Sequence, residues 1–270
     1  MSYYLNILLM YAVEERNKKK VKELLSKGAD PNICGYDSNS LLLDALQAKH
    51  YEIVHMLLDN GAKIFCYMCL ICSFQCDPKI LEKMLKKGAD PNHTIRYHKS
   101  PLQEAIMLRK NDHAALLLKY GADPDFNNNS VGDKMDAIYD PPLLIAVTAK
   151  NVEIILLLLK AGADPNPAVN FTSGQSLVCF TATSSEMDSY YTYVLLLLHA
   201  GANRLGFTDP NLYQHIRSGN NIQIEELLKK WPSVVSLQDL CRRKIHFGKN
   251  KPEIPEWFPS LLLKWDGDHY

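Results

Sequence analysis

The sequence predicts an all-α solenoid, about seven helix pairs over residues 1–232 followed by a small helical segment over residues 233–270. Three observations carry this expectation. A Gly-Ala pair recurs at Gly28, Gly61, Gly88, Gly121, Gly162 and Gly201, at intervals of 33, 27, 33, 41 and 39 residues, and self-similarity on this scale marks a repeat architecture. Nineteen residues before each of the first five glycines stands a constant landmark: Leu9, Leu42, Cys69, Leu102 and Leu143. Three residues after the landmark comes a small side chain, Ala12, Ala45, Cys72, Ala105 or Ala146, where two helices must approach closely.

Each unit reads as a short first helix, a turn near residues such as Asn17 or Asn151, and a second helix that ends at the glycine. The second helix shows its apolar face at Val21, Val54, Leu81, Ala114, Ile155 and Val194, seven residues before the glycine. Leu-Leu or Met-Leu follows at the fourth and third places before it, which is helical spacing. Glycine suits the position because the residue after a helix commonly turns left-handed, a conformation that costs a residue with a Cβ about 1 kcal/mol or more. The Asp-Pro that often follows cannot continue a helix, since proline lacks the amide hydrogen and restricts its predecessor. The sixth unit keeps the pattern with five extra residues, placed near Ser184 to Tyr190. A seventh is degenerate: Leu212, Ile224 and Leu227-Leu228 hold the register, and Trp231-Pro232 replaces the glycine. A single pair cannot bury both its faces, so neighbour interfaces must hold the stack together.

These residues resemble the ankyrin repeat. Ser100-Pro101-Leu102-Gln103-Glu104-Ala105 is similar to that family's Thr-Pro-Leu-His-x-Ala, and Gly88-Ala89-Asp90-Pro91-Asn92 to its turn. The resemblance implies a right-handed, slightly curved ankyrin-repeat solenoid with hairpin fingers on one side, a concave surface for protein ligands, and no catalysis.

The pattern breaks in two places. The path from glycine to the next landmark is 14 residues twice, but 8 after Gly61 and 22 after Gly121. The third unit should therefore lack its finger, leaving a notch, while the finger within Phe126 to Asp140 is enlarged. Length changes in repeats map to loops on one face, often the binding face, which makes Phe126, Met135, Ile138 and Tyr139 candidate contacts for a target protein. A tolerated surface insertion is the other reading of the same residues.

Bulk composition excludes several classes. Thirty basic and thirty acidic side chains cancel, so no net field draws the chain to nucleic acid or an anionic membrane, and neither is an expected partner. The apolar start, Met1 to Met10, has no basic residue and no small-residue cleavage site, so no signal peptide is read. No apolar run reaches the roughly 18 residues that a bilayer crossing requires. Seven cysteines without a secretory signal predict reduced thiols and a cytoplasmic or nuclear location.

The run Cys66-x2-Cys69-x2-Cys72-x3-Cys76 has the spacing of a bacterial iron–sulfur site. Its register argues against that chemistry, because Cys69 and Cys72 occupy landmark positions where a small hydrophobe packs. Asp77 also intervenes before Pro78, so no metal and no cofactor are expected. His93, His98 and His113 accompany no nucleophile motif and read as surface histidines, so no catalytic residue is assigned. Lys18-Lys19-Lys20 reads as a solvated face, or as a weak localisation signal.

After Trp231-Pro232 the register stops. Leu237, Leu240, Cys241 and Ile245 then follow at helical intervals, one apolar face that could simply cap the stack. Ser236, Leu237, Cys241 and Ile245 also match every place of the elongin-binding box of SOCS-box proteins, and a box directly after ankyrin repeats resembles the ankyrin-repeat and SOCS-box protein family. That resemblance implies a SOCS-box-like segment whose Leu237, Leu240, Cys241 and Ile245 dock elongin C, itself paired with elongin B. It also implies a cullin box that recruits cullin-5 with its RING partner. Phe258, Pro259, Leu262 and Trp265 match the second half of that box, while Glu256-Trp257 replaces its first Leu-Pro. The implied role is a substrate-recognition subunit of a ubiquitin ligase whose target protein is unknown. The alternative is a plain ankyrin scaffold with a helical cap.

Overall fold

The computed structural model describes residues 2–35, 39–64, 67–95, 98–126, 140–167, 176–183, 193–194 and 196–202. The described residues are helical apart from turns and one isolated bridge, Cys34 with Ser40, in the first finger. From α3 to α10, helices of seven residues alternate with helices of nine. The first helix of each pair is α1 (Ser2–Glu14), α3 (Leu41–Gln47), α5 (Tyr67–Ser73), α7 (Pro101–Met107), α9 (Pro142–Thr148) and α11 (Leu177–Thr183). The second is α2 (Lys18–Ser26), α4 (Tyr51–Asp59), α6 (Pro78–Lys86), α8 (Asn111–Lys119) and α10 (Val152–Lys160). Helical backbone at 193–194 and 196–199 supplies the second helix of a sixth pair. The expected seventh unit, Leu212 to Trp231, lies outside the described residues.

Two compact units divide the chain, residues 1–139 and 140–270. In the first, α1, α3, α5 and α7 pack side by side in one layer and α2, α4, α6 and α8 in a second. In the other unit, α9 packs against α10. The periodic positions read from sequence are the core. Leu9, Leu42, Cys69, Leu102, Leu143 and Leu177 are buried, as are Ala12, Ala45, Ala105 and Ala146, and Val21, Val54, Leu81, Ala114, Ile155 and Val194. Cys72 is only half-buried, so the small-residue position of the third pair is looser than its counterparts.

The helix ends follow from backbone chemistry. Asn17 and Asn151 begin their second helices as N-caps, accepting from the amides of Lys20 at 3.1 Å and Ile154 at 3.3 Å; such caps satisfy amides that the first turn leaves without partners. Ser100 and Gln103 form a full capping box at the start of α7. Each second helix ends at a left-handed glycine, with φ from 88° at Gly28 to 93° at Gly201. A Cβ built on any of these six would meet nothing within 4 Å. Their requirement for glycine is therefore conformational and not steric.

The turn inside each pair uses the same device with the wrong residue. Arg16, Lys49, Arg109 and Lys150 have φ between 55° and 58°. The next amide in each turn donates back to the small residue of the first helix: Asn17 to Ala12, His50 to Ala45, Lys110 to Ala105 and Asn151 to Ala146. This is the six-to-one bond of a Schellman motif. The third pair departs from it: Phe74, Gln75 and Cys76 donate in succession to Ile71, Cys72 and Ser73. Cys76, at the corresponding position, is not left-handed.

Two substitutions should move stability in opposite directions. Gly121→Ala places a Cβ on a left-handed backbone and should lower stability by about 1 kcal/mol, whereas Lys49→Gly removes one and should raise it by up to about 1 kcal/mol. Urea denaturation followed by circular dichroism measures both shifts; equal signs would contradict the conformational account.

Candidate functional site

The described fingers leave the stack just after Gly28, Gly88, Gly121 and Gly162, and three of their roots are fastened by an asparagine. In Asp-Pro-Asn, the aspartate Oδ1 accepts from the amide two residues on: Asp30 from Asn32 at 2.8 Å, Asp90 from Asn92 at 2.9 Å, and Asp164 from Asn166 at 2.8 Å. Each asparagine then reaches the turn of the following repeat. Asn32 donates to the Gly61 carbonyl at 3.3 Å and accepts from the Lys63 amide at 2.8 Å. Asn92 donates to the Gly121 carbonyl at 2.9 Å and accepts from the Asp123 amide at 2.8 Å. Asn166 donates to the Gly201 carbonyl at 3.4 Å, and Asn6 of α1 accepts from the Asp30 amide at 2.9 Å. A carboxamide offers a donor and an acceptor side by side on one rigid plane. Asp125 stands in the same register, and a carboxylate cannot donate.

Connection lengths agree with the predicted breaks. Residues 60–66 join α4 to α5, against 27–40 and 87–100 elsewhere, and residues 120–141 join α8 to α9. Phe126, the first of the candidate target contacts, is half-buried, and its carbonyl accepts from Gln103 Nε2 at 3.4 Å. Gln103 is fully buried, and its Oε1 accepts from the Ser100 amide at 2.7 Å. The root of the enlarged finger is thus tied to α7. Met135, Ile138 and Tyr139 lie outside the described residues. So do the C-terminal candidates Leu237, Leu240, Cys241 and Ile245, and Phe258, Pro259, Leu262 and Trp265.

Sequence reasoning missed the exposed apolar side chains of unit one. Tyr3, Tyr4 and Tyr11 on α1, Met68 on α5, Met107 and Leu108 at the end of α7, and Ile95 in a finger all face solvent. Met107 and Leu108 fall in the register of Gln47 and Ala48, so comparing non-core positions across repeats would have found them.

His113 corrects the surface-histidine reading. It is the third residue of α8, 4 % exposed, and its ring stands edge-on to Phe74 with centroids 5.5 Å apart. Ile53, Ile80 and Ile154 in the same register are buried apolar residues. The Nε2 is buried without a hydrogen-bond partner among the described residues, and burial lowers the pKa despite the backbone of Ser73 and Cys76 nearby. His199 is similarly buried, and burial pushes it down to about 4. His93 and His98 are exposed as expected, with His98 lying 5.7 Å from Tyr67 ring to ring.

Cys69 and Cys76 are buried, and Cys76 Sγ lies 3.5 Å from the Cys72 carbonyl. Cys66 is outside the described residues. No three histidine, cysteine or carboxylate side chains converge as a metal site among the described residues. No described helix is long and apolar enough to cross a membrane.

The family model described as ankyrin repeats (3 copies) matches residues 5–67 and 68–169. Human transient receptor potential cation channel subfamily A member 1 is 26 % identical over 175 residues, which cover 62 % of this chain and 16 % of the channel protein. A putative ankyrin repeat protein of fowlpox virus is 29 % identical over 159 residues, covering 59 % and 28 % of the two chains. A second fowlpox protein is 27 % identical over 169 residues, covering 61 % and 29 %. The chain thus spans less than a third of the length of these curated relatives. Among solved structures, an ankyrin repeat domain from Acinetobacter baumannii superposes with a TM-score of 0.58 at 26 % identity, covering 72 % of this chain and 97 % of that one.

The ladder and the buried imidazoles each have a measurable consequence. Asn92→Asp keeps the acceptor for Asp123 but loses the donor to Gly121, and should cost about 1 kcal/mol in urea denaturation. Asn92→Gln, which retains both functions, should cost less. For the histidines, a folded pKa below the unfolded value near 6.5 means that the unfolded chain takes up the proton first. Stability is therefore lost as pH falls below about 6.5. His199 alone should remove about 2 kcal/mol between pH 7 and pH 5, with His113 adding in the same direction. Denaturation of His199→Leu at the two pH values should show a flatter dependence than the parent.

Proposed function

Because the chain belongs to the ankyrin-repeat family, we propose that it is a binding scaffold for another protein, and that it serves as the substrate-recognition subunit of an elongin–cullin-RING ubiquitin ligase. The repeats hold the target through the fingers and the exposed apolar residues of the first helices. The C-terminal segment, residues 233–270, docks elongin C with elongin B. Ubiquitin transfer belongs to the partners, and this chain contributes binding and position.

The observation that carries the ligase reading is the spacing Ser236, Leu237, Cys241 and Ile245, directly after the last repeat register. Leu237, Leu240, Cys241 and Ile245 share one face of a helix by their spacing. Each apolar side chain that enters a partner's pocket fully would contribute about 1.5–3 kcal/mol before ordering costs. Phe258, Pro259, Leu262 and Trp265 support contact with cullin-5 and its RING partner, although Glu256-Trp257 stands where the first Leu-Pro of that box would be. Such ligases act in the cytoplasm or nucleus, reducing compartments that would keep the seven cysteines as thiols.

A plain scaffold whose last segment only caps the repeats is the competing reading, favoured by the same apolar face if it turns inward. Pull-down separates them. Leu237→Ala combined with Cys241→Ala should abolish recovery of elongin B and C while leaving the helical spectrum unchanged; undiminished elongin recovery rejects the ligase role. Deleting residues 234–270 should leave the melting temperature of the repeats unaltered if the segment docks a partner, and lower it by several degrees if it is a cap.

A further inference from the structure

Among the described residues the asparagine ladder has an open rung at Gly88. In the repeats that follow Asn32 and Asn92, the glycine carbonyl and the amide two residues later are both taken by one carboxamide from the preceding repeat. The corresponding pair in the third repeat is the Gly88 carbonyl and the Asp90 amide. Neither is bonded to any other group among the described residues, although Asp90 Oδ1 caps its own turn and the Asp90 carbonyl accepts from His93. The cause is the short connection 60–66. It has no Asp-Pro-Asn, and Phe65 stands in the register of Asn32 and Asn92; a phenyl ring can neither donate nor accept in their place.

The same repeat exposes apolar surface that its neighbours cover. Met68 is 39 % exposed, whereas Leu41 and Pro101 in the same register are buried. Ile95, in the finger that begins at Gly88, is 43 % exposed. His98 at the end of that finger lies against Tyr67 at the start of α5, so the finger's end and Met68 belong to one neighbourhood. Polar demand and apolar surface therefore coincide where the chain omits its own finger.

We propose that this open rung receives an extended loop of a protein partner, one that presents an asparagine or glutamine carboxamide beside an apolar side chain and so completes the ladder in trans. The inference deepens the scaffold reading and rests on it, but not on the ligase role. The acceptor and donor are main-chain groups, so the recognised chemistry is a carboxamide and not a charge. A carboxylate could accept from Asp90 yet would meet the Gly88 carbonyl with a lone pair.

The probe is the capped peptide Ala-Asp-Pro-Asn-His-Thr-Ile, copied from residues 89–95, titrated into the isotopically labelled full chain. The Asp90 amide resonance should shift saturably and its hydrogen exchange should slow. A peptide with aspartate in place of asparagine should bind about tenfold more weakly. A second variant closes the rung in cis, by replacing residues 62–66 with a copy of residues 89–100, which restores a connection of the ordinary length. It should protect Asp90 without peptide and abolish peptide binding. No response at Asp90 with millimolar peptide, equal binding of the aspartate peptide, or undiminished binding to the closed variant would each overturn the proposal. Target capture that survives in the closed variant would also overturn it and leave the scaffold reading standing, whereas a parent chain that captures no protein would count against the scaffold itself.

Discussion

Every described helix pair hands the chain on through a left-handed residue, and the direction taken there decides where the following side chains lie. At the end of the second helix the residue is glycine, whose φ near 90° is open to it without penalty. At the turn within the pair it is arginine or lysine in four repeats, held there by an amide that donates back to the small residue of the first helix. The cost of a Cβ in that conformation is met by the Schellman bond and by the close contact that Ala12, Ala45, Ala105 and Ala146 permit. Backbone hydrogen bonding and core packing are thus one constraint, since the alanine carbonyl closes the turn while its methyl group lets the helices approach.

Successive pairs are coupled by two kinds of contact with different tolerances. The apolar faces of neighbouring helices accept apolar side chains of different size, since Cys69 stands in a leucine position and Ala114 in a valine position and both are buried. The asparagine bridges tolerate less, because both functions of the carboxamide are used. His113 lies between these cases. It fills an isoleucine slot, makes an aromatic contact with Phe74, and leaves Nε2 without a hydrogen-bond partner among the described residues. A buried polar atom of this kind weakens the contact between the third and fourth repeats, and weakens it further as the imidazole takes up a proton. The third repeat gathers several departures at once: a different turn, a half-buried Cys72, an absent finger and an open rung.

Much of this was legible in the residues themselves. Helix register, core positions and the placement of turns near Asn17 and Asn151 follow from periodicity and from the chemistry of single side chains, which act over one turn of helix. The short connection after Gly61 could be counted. His113 could not be placed by the same means, because the slot it occupies belongs to a contact between repeats and its charge gave no sign of burial. The bridging role of Asn32 and Asn92 was equally hidden. Their register is visible as glycine plus four, but their partners lie 29 and 31 residues away. The exposed Met107 and Leu108 stand out only when their places are compared with Gln47 and Ala48 of the second repeat.

The sequence alone determined that this chain is a stack of helix pairs with a fixed repeat and two irregular connections, because propensity, periodicity and turn chemistry are local and recur in every unit. The tertiary structure alone decided which polar groups find partners and which remain open. That outcome depends on where one repeat's backbone groups sit against the next repeat's side chains. For Gly88 and Asp90 the deciding fact is an amide that the preceding connection is too short to supply.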